Sequence, residues 1–394
     1  MARLHINPFS IFLLIIAAGL YCERVQAQDP VLPLASGQPE AWLVTYGPGE
    51  LYWQRFGHNA IWIRDPSRNI DHVFNAGFFD FNQPGFLRRF IEGRMLYFSA
   101  AQPALDEFRQ YQFDNRSIQA RPLRLDLVEY ERLLNHLVRQ VDPEHRHYLY
   151  DYYLDNCSTR IRDAIDVALA GQLSSVIAEQ VARQNFRDHT RRSTEAVFWY
   201  YLGLETALGL PTDRNISRWQ EMFLPAVVDE VIAGFEREGR PVAGDLFTIW
   251  NSSLEIPPAT PPFTAWRYLL AGLLLTGFFS LMGRLAGEVM AQGSINAYLV
   301  IAAQGGLLLT YLWTMTDHQV ASPNANLLLL NPLLILGLWP RLRRLAALVL
   351  LAGVAFCMVQ LLLPGGQYNL DVLAFLAPVN LAVGWWLWRN APDL

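Results

Sequence analysis

The sequence predicts an α+β exported domain, a small antiparallel sheet with helices around it, followed by an all-α membrane domain of five transmembrane helices. Three observations predict this. Hydrophobic residues make up 52% of the 394 residues, more than an ordinary soluble chain of this size carries. They are unevenly placed, because from Trp266 onward the chain reads as apolar spans broken by short polar turns. Before that point, short alternating runs bounded by Gly, Pro and Asn interleave with runs of helical period. The expected divisions are a signal peptide at 1–27, a soluble domain at 28–262 and a membrane domain at 263–390.

The N-terminus has the parts of a secretory signal: Arg3 and His5, an apolar run at 9–20, and small residues at Val25 and Ala27 for cleavage before Gln28. Cys22 follows Tyr21, a poor context for lipid attachment, and a retained anchor is the other reading. In the soluble domain, 41–46 reads as a strand and 50–56 as a short aromatic turn. Strands at 59–64 and 72–79, joined by a turn at 66–69, make a hairpin. A helix at 84–92 starts on Pro84. A strand at 94–99, a helix at 104–113 and a strand at 117–125 follow. The run 128–141 is a helix with Leu133, Leu134, Leu137 and Val141 on one face. A strand-like run at 148–154 then feeds a helix at 159–170, and the chain is mostly helical to Gly239.

Five apolar spans are expected, at 266–282, 295–315, 326–338, 345–363 and 372–388. The third is short and holds Pro332, so a tilted, broken or re-entrant path is expected there. Arg284, then Arg341, Arg343 and Arg344, then Arg389 follow the odd spans, and the other turns carry no Arg. Positive-inside logic puts those turns and the C-terminus in the cytoplasm and the soluble domain outside. The proline run at 257–262 is a stiff spacer, and Trp250, Phe263 and Trp266 around it suit the headgroup level. In the outward turn, His318, Asn324 and Asn331 are polar groups at a costly depth. They read either as caps and turn residues or as a polar lip that meets a lipid-borne substrate.

The chain holds 3 Cys. Cys22 lies in the signal segment and Cys357 in an apolar span, so Cys157 is the lone exported thiol, with no partner for a disulfide. It lies just before a predicted helix start, where free N–H groups and the helix dipole favour a thiolate. A thiol nucleophile wants a base and a group to orient it. His136, His145, His147 and His189 read as packing or surface residues. His58 opens a strand directly after Gly57, which lets backbone or substrate come close. Counting round the hairpin places His58 opposite about Gly77. Asn75 then lies on the same face, and a register slip would bring Asp80 near instead. His72 would pair near Ile63, ~17 Å along the strand from His58, too far to orient it.

These residues resemble a known family. Tyr52-Trp53-Gln54-Arg55-Phe56-Gly57-His58-Asn59-Ala60, the run from Val73 through Asn75 and Gly77 to Phe81, and Asp155-Asn156-Cys157-Ser158-Thr159-Arg160 are similar to the Lnb N-terminal periplasmic domain family. The resemblance covers most of the chain from Gln28 to about Ala233, and Asn331-Pro332 resembles the family's membrane half. It implies a permuted papain-like, NlpC-like thiol enzyme in which His precedes Cys, and a bacterial lipoprotein transacylase activity. It implies Cys157 as nucleophile, His58 as base, and Asn75 or Asp80 as third member, in an inner-membrane protein with its N-terminal domain in the periplasm.

Three functions follow. The first is a thiol acyltransferase acting on a membrane lipid or lipoprotein through an acyl-cysteine, with Asn156, Trp53, Trp62, His318, Asn324 and Asn331 as candidate substrate contacts. The second is an envelope cysteine hydrolase, a peptidase or amidase, for which five spans are more than an anchor needs. The third is a non-enzymatic membrane-complex subunit with Cys157 and His58 as core residues. No metal or cofactor is expected, since paired-Cys, His-Glu-x-x-His and Gly-rich phosphate motifs are lacking. A net charge of −5 speaks against nucleic acid as a partner. The basic residues are all Arg, which reads as codon bias. The expected partners are the bilayer and its lipids, and oligomeric state is left open.

Overall fold

The structure is a computed structural model that describes residues 29–80 and 83–392. The signal segment at 1–27, with Cys22 and the cleavage site before Gln28, lies outside the described residues.

The soluble part is built on β1 (Glu40–Tyr46), β2 (His58–Asp65), β3 (Ile70–Phe79), α1 (Phe86–Glu92), β4 (Leu96–Pro103), α2 (Ala104–Phe113), β5 (Ile118–Leu123), α3 (Leu127–Val141), β6 (His147–Leu149) and α4 (Cys157–Ala168). Helices α5 (Gln172–Ile177), α6 (Phe186–Thr194), α7 (Phe198–Ala207), α8 (Arg218–Glu221) and α9 (Pro225–Gly234) follow. A short hairpin, β7 (Glu236–Arg237) and β8 (Arg240–Pro241), and a last strand β9 (Phe247–Trp250) complete it. The main sheet has seven strands in the order β6-β4-β3-β2-β1-β5-β9, larger than the sequence suggests. Of the run expected at 148–154 only 148 and 149 lie in the paired strand, because Asp151 accepts from the amides of Tyr153 and Leu154 and turns the chain. Trp250, expected at the headgroup level, sits in β9 opposite Ile118.

Period-2 alternation divides the sheet's core. Leu43, Ile61 and Ile63 face α3, α4 and α9, while Trp42, Val44, Ala60 and Trp62 face Phe108 of α2. Both faces are covered, which is why β1 and β2 are buried along nearly their whole length. His189, read as a surface residue, is buried: it bonds Glu221 at 2.8 Å and accepts from Arg192.

The helical part has α10 (Ala265–Met315), α11 (Arg343–Gln360) and α12 (Leu370–Arg389). All three are long and apolar enough to cross a membrane, α11 together with the short turn before it. Helix α10 is broken at Gly287, whose φ of 82° only glycine adopts readily. The chain turns back there: a Cβ on Gly283 would lie 3.1 Å from Ala291 Cβ, and Phe279 meets Tyr298 edge-on. The first two expected spans are thus the two arms of α10.

Five transmembrane α-helices do not form among the described residues. The third expected span is a chain of 3-10 turns at Ala325–Leu328 and Pro332–Leu338. Pro332 lacks an N–H and disfavours helical backbone at Asn331. The segment still runs from one end of the helical part to the other. Asn326 bonds carbonyls of α7 at its start, and Arg343, just past its end, bonds the Asn390 carbonyl after α12. A 3-10 rise of ~2.0 Å per residue lets fewer residues cover that length. Contacts this close need glycine: a Cβ on Gly306 would come within 2.2 Å of the Leu330 oxygen, and one on Gly353 within 2.2 Å of the Leu328 oxygen.

Candidate functional site

The site forms where the two faces of the sheet meet at its end. His58 begins β2 and Cys157 begins α4. Ala60 pairs with Asn75, and continuing that register sets His58 beside Gly77. Gly77 has a φ of 103° and lies at an irregularity in the β3–β4 pairing. A Cβ there would be 3.4 Å from Cys157 Cβ. The missing side chain is the gap through which the thiol approaches His58.

The two side chains lie close enough to shift each other's protonation. His58 Nε2 lies 2.9 Å from Asn75 Oδ1. The Asn75 amide is oriented by its donors, which go to the Val73 carbonyl and to Glu107 Oε2 at 2.6 Å. Asn75 therefore presents oxygen to His58, Nε2 donates, and Nδ1 is left for the thiol. Asn75, rather than Asp80, orients the histidine. Asp80 is exposed near the end of β3, with its carbonyl accepting from Gln83.

Glu107 is the member that sequence reasoning missed. It is 3% exposed on α2 and accepts from Asn75 and from the Tyr46 hydroxyl. Its position in the sequence looks like the polar face of a helix, and only the packing of α2 on the sheet brings it to Asn75. Tyr46 stacks on Tyr111 at 3.6 Å between ring centres and lies beside His58.

The electrostatics follow from burial and pairing. Burial pushes the Cys157 thiol up, but the His58 charge, hydrogen bonds from His58 and Ser158, and the Asn59 backbone N–H outweigh it and bring the pKa to about 7. Burial pushes His58 down, and the Cys157 thiolate and Asn75 hold it above its ordinary value. Burial raises the Glu107 carboxyl to about 7 against the pull of Tyr46, His58 and Asn75. At neutral pH the pair is poised between thiol–imidazole and thiolate–imidazolium.

The pair opens into a cavity of about 640 Å³. Its apolar wall includes Trp53, Phe56, Phe79, Phe90 and Leu208 of the soluble part, and Leu312, Val320 and Ala321 of the helical part. His318 lines it and stacks on Tyr152 at 6.3 Å. Asn156 also lines it, yet its amide is committed: it caps α4 at Thr159 N and donates to the Tyr152 and Phe223 carbonyls. It holds the helix start that presents Cys157. Three expected contacts lie elsewhere. Trp62 is fully buried against Phe108 and bonds Asp71. Asn324 is 3% exposed and ties to the Thr206 and Ala207 carbonyls. Asn331 caps the 3-10 turn at Leu333 N. Each looked available because a polar or aromatic residue near a site reads the same in sequence whether its partners are internal or not.

The fold and the site define an α+β domain with a cysteine–histidine pair at its sheet end, joined to a helical part fit for a membrane. Residues 37–204 match the model of the Lnb N-terminal periplasmic domain. The match stops short of the expected limit near Ala233, but it includes Cys157, His58, Asn75 and Glu107. No curated protein and no solved structure matches the chain. With its three apolar helices, the protein is a membrane protein carrying a periplasmic N-terminal domain.

Proposed function

We propose that the protein is a thiol acyltransferase that takes acyl chains from a membrane lipid or lipoprotein through an acyl-Cys157 intermediate. One observation carries this reading: the Cys157–His58 pair opens into an apolar cavity whose wall is completed by the membrane half, at Leu312, Val320 and Ala321. A peptidoglycan or peptide hydrolase has no use for a wall supplied by a transmembrane helix.

In the first step Cys157 Sγ attacks the ester carbonyl while His58 holds the thiol proton. As the C–S bond forms, the C–O bond breaks, and His58 gives its proton to the departing oxygen. In the second step an amine attacks the thioester carbonyl and the C–S bond breaks. The amine's proton returns through His58 to Sγ. Asn75 and Glu107 keep Nδ1 aimed at sulfur throughout. Aromatic walls around the thioester limit water and so favour the amine over hydrolysis. Localisation in the inner membrane, with the Arg-bearing turns and the C-terminus in the cytoplasm, belongs to the same reading.

The test is mass spectrometry of purified protein incubated with ester lipids and an amine acceptor. A trapped acyl group on the Cys157 peptide, lost in Cys157→Ala, together with N-acylated acceptor, is the expected result. Free fatty acid with no acylated amine points instead to the hydrolase.

A further inference from the structure

The cavity has a polar side that the acyl chemistry leaves unused. Gln54, Gln110, Asp114 and Arg116 line it where α2 ends and β5 approaches, on a different set of elements from the apolar wall of α1, α7 and α10. Arg116 is 5% exposed. Its Nε donates to the Gly47 carbonyl at 2.9 Å, and its guanidinium carbon lies 4.6 Å from the Tyr111 ring centre. A Cβ on Gly49 would lie 3.0 Å from Arg116 Cδ, so the 47–49 loop fixes the stem. One guanidinium nitrogen, NH2, is buried with no hydrogen-bond partner, and among the described residues no carboxylate makes an ion pair with Arg116. A buried cation without a counter-charge is costly. A rigid guanidinium that lines a cavity and has no ion-pair partner is the arrangement that recognises phosphate or carboxylate.

We propose that Arg116 is an anion subsite that takes the phosphate of a glycerophospholipid acyl donor. This rests on the acyltransfer reading and narrows it. An amphiphile with an anionic head suits a cavity with one apolar wall and one buried Arg. In a glycerophospholipid the phosphate sits a few bonds from the scissile ester. With the acyl chain against Phe79, Phe90 and Leu312, and the carbonyl at Cys157, the glycerophosphate is directed to the remaining, Arg116 side. A lipoprotein's diacylglyceryl group offers no phosphate there.

The experiment uses full-length protein in detergent micelles and follows alkylation and acylation of the Cys157 peptide by mass spectrometry. Dihexanoyl phosphatidylglycerol, dihexanoylglycerol, a diacylglyceryl-cysteine peptide and inorganic phosphate are compared as protectants. The phospholipid should protect Cys157 at about tenfold lower concentration, or better, than the two phosphate-free lipids, the effect of one charge-assisted pair. Arg116→Gln should bring that ratio close to one, and Arg116→Lys should keep much of it. Equal protection by the phosphate-free lipids, or a ratio unmoved in Arg116→Gln, overturns the subsite. Protection by inorganic phosphate alone, equal to that by phospholipid, overturns the lipid assignment. The wild-type comparison stands even if a variant fails to fold. Phosphate-dependent protection without any acyl-Cys157 sinks the transfer reading and leaves the subsite. Acylation without phosphate preference does the reverse.

Discussion

At the scale of residues, the site is a proton relay set by four side chains. Cys157, held at about 7 by His58 and the helix start, should be alkylated with a midpoint near that pH rather than near the ordinary thiol value. The pH dependence of iodoacetamide labelling measures it, and His58→Ala should shift the midpoint upward. Labelling of Cys157 that begins only after unfolding would falsify the reactive-thiol assignment. Glu107 sets a second dependence. When ionised, it favours the His58 imidazolium, as His58 in turn lowers Glu107. Glu107→Gln should therefore raise the Cys157 midpoint while leaving the circular dichroism unchanged, a pattern that lost packing would not give. Because the Glu107 pKa is raised on folding, its contribution to stability is fully present below its unfolded value and lost as pH rises through about 7. Thermal melts of Glu107→Gln should accordingly gain on wild type mainly between pH 4.5 and about 7, and level off above that.

At the scale of elements, short segments with special backbone place those side chains. Gly57, at φ 84°, would bring a Cβ within 2.8 Å of the Tyr46 oxygen. Gly57→Ala should cost about 1–2 kcal/mol in stability for the left-handed backbone alone. It should also slow Cys157 labelling, because His58 is the next residue. A denaturant melt and a labelling rate read the two effects separately. The same logic governs the membrane half. The passage at 325–338 lies tight against Gly306 and Gly353, so Gly306→Val should lower the melting temperature of the full chain in detergent, whereas Gly277→Val, in open space, should leave it near wild type.

At the scale of the whole molecule, the halves are joined by a buried polar seam rather than by the proline spacer alone. Arg191 reaches Asp371 Oδ2 at 3.3 Å, and Tyr201 and Thr264 donate to the same carboxylate at 2.9 Å each. Asn324 and Asn326 bond carbonyls of α7 from the other side. Arg191→Met would leave Asp371 buried and without its cation, a loss of about 3–5 kcal/mol. The variant should be cut by protease near 257–262 faster than wild type, with an intact sheet domain recovered. A domain ended at Pro262 also loses Leu312, Val320 and Ala321 from its cavity. It should keep a labelled Cys157 yet fall well behind the full chain on lipid in micelles. Equal rates would reduce the membrane half to an anchor and favour the hydrolase.

By itself the sequence determined the order of sheet and helices, the hairpin register, the thiol and its histidine, and the apolar third. These depend on local pattern: alternation along β2 and β3, a turn of fixed length at 66–68, an Asn–Cys helix start, and long apolar runs. Counting residues round that turn was enough to set Asn75 beside His58. Tertiary structure alone decided what lies far apart in the chain. It brought Glu107 and Arg116 to the cavity, placed Trp62 in the core, and committed Asn324 and Asn331 to backbone. It also made the third apolar run a 3-10 passage, because two glycines on neighbouring helices let its backbone approach. A residue's burial and its partners are properties of packing between distant segments, and no local pattern encodes them.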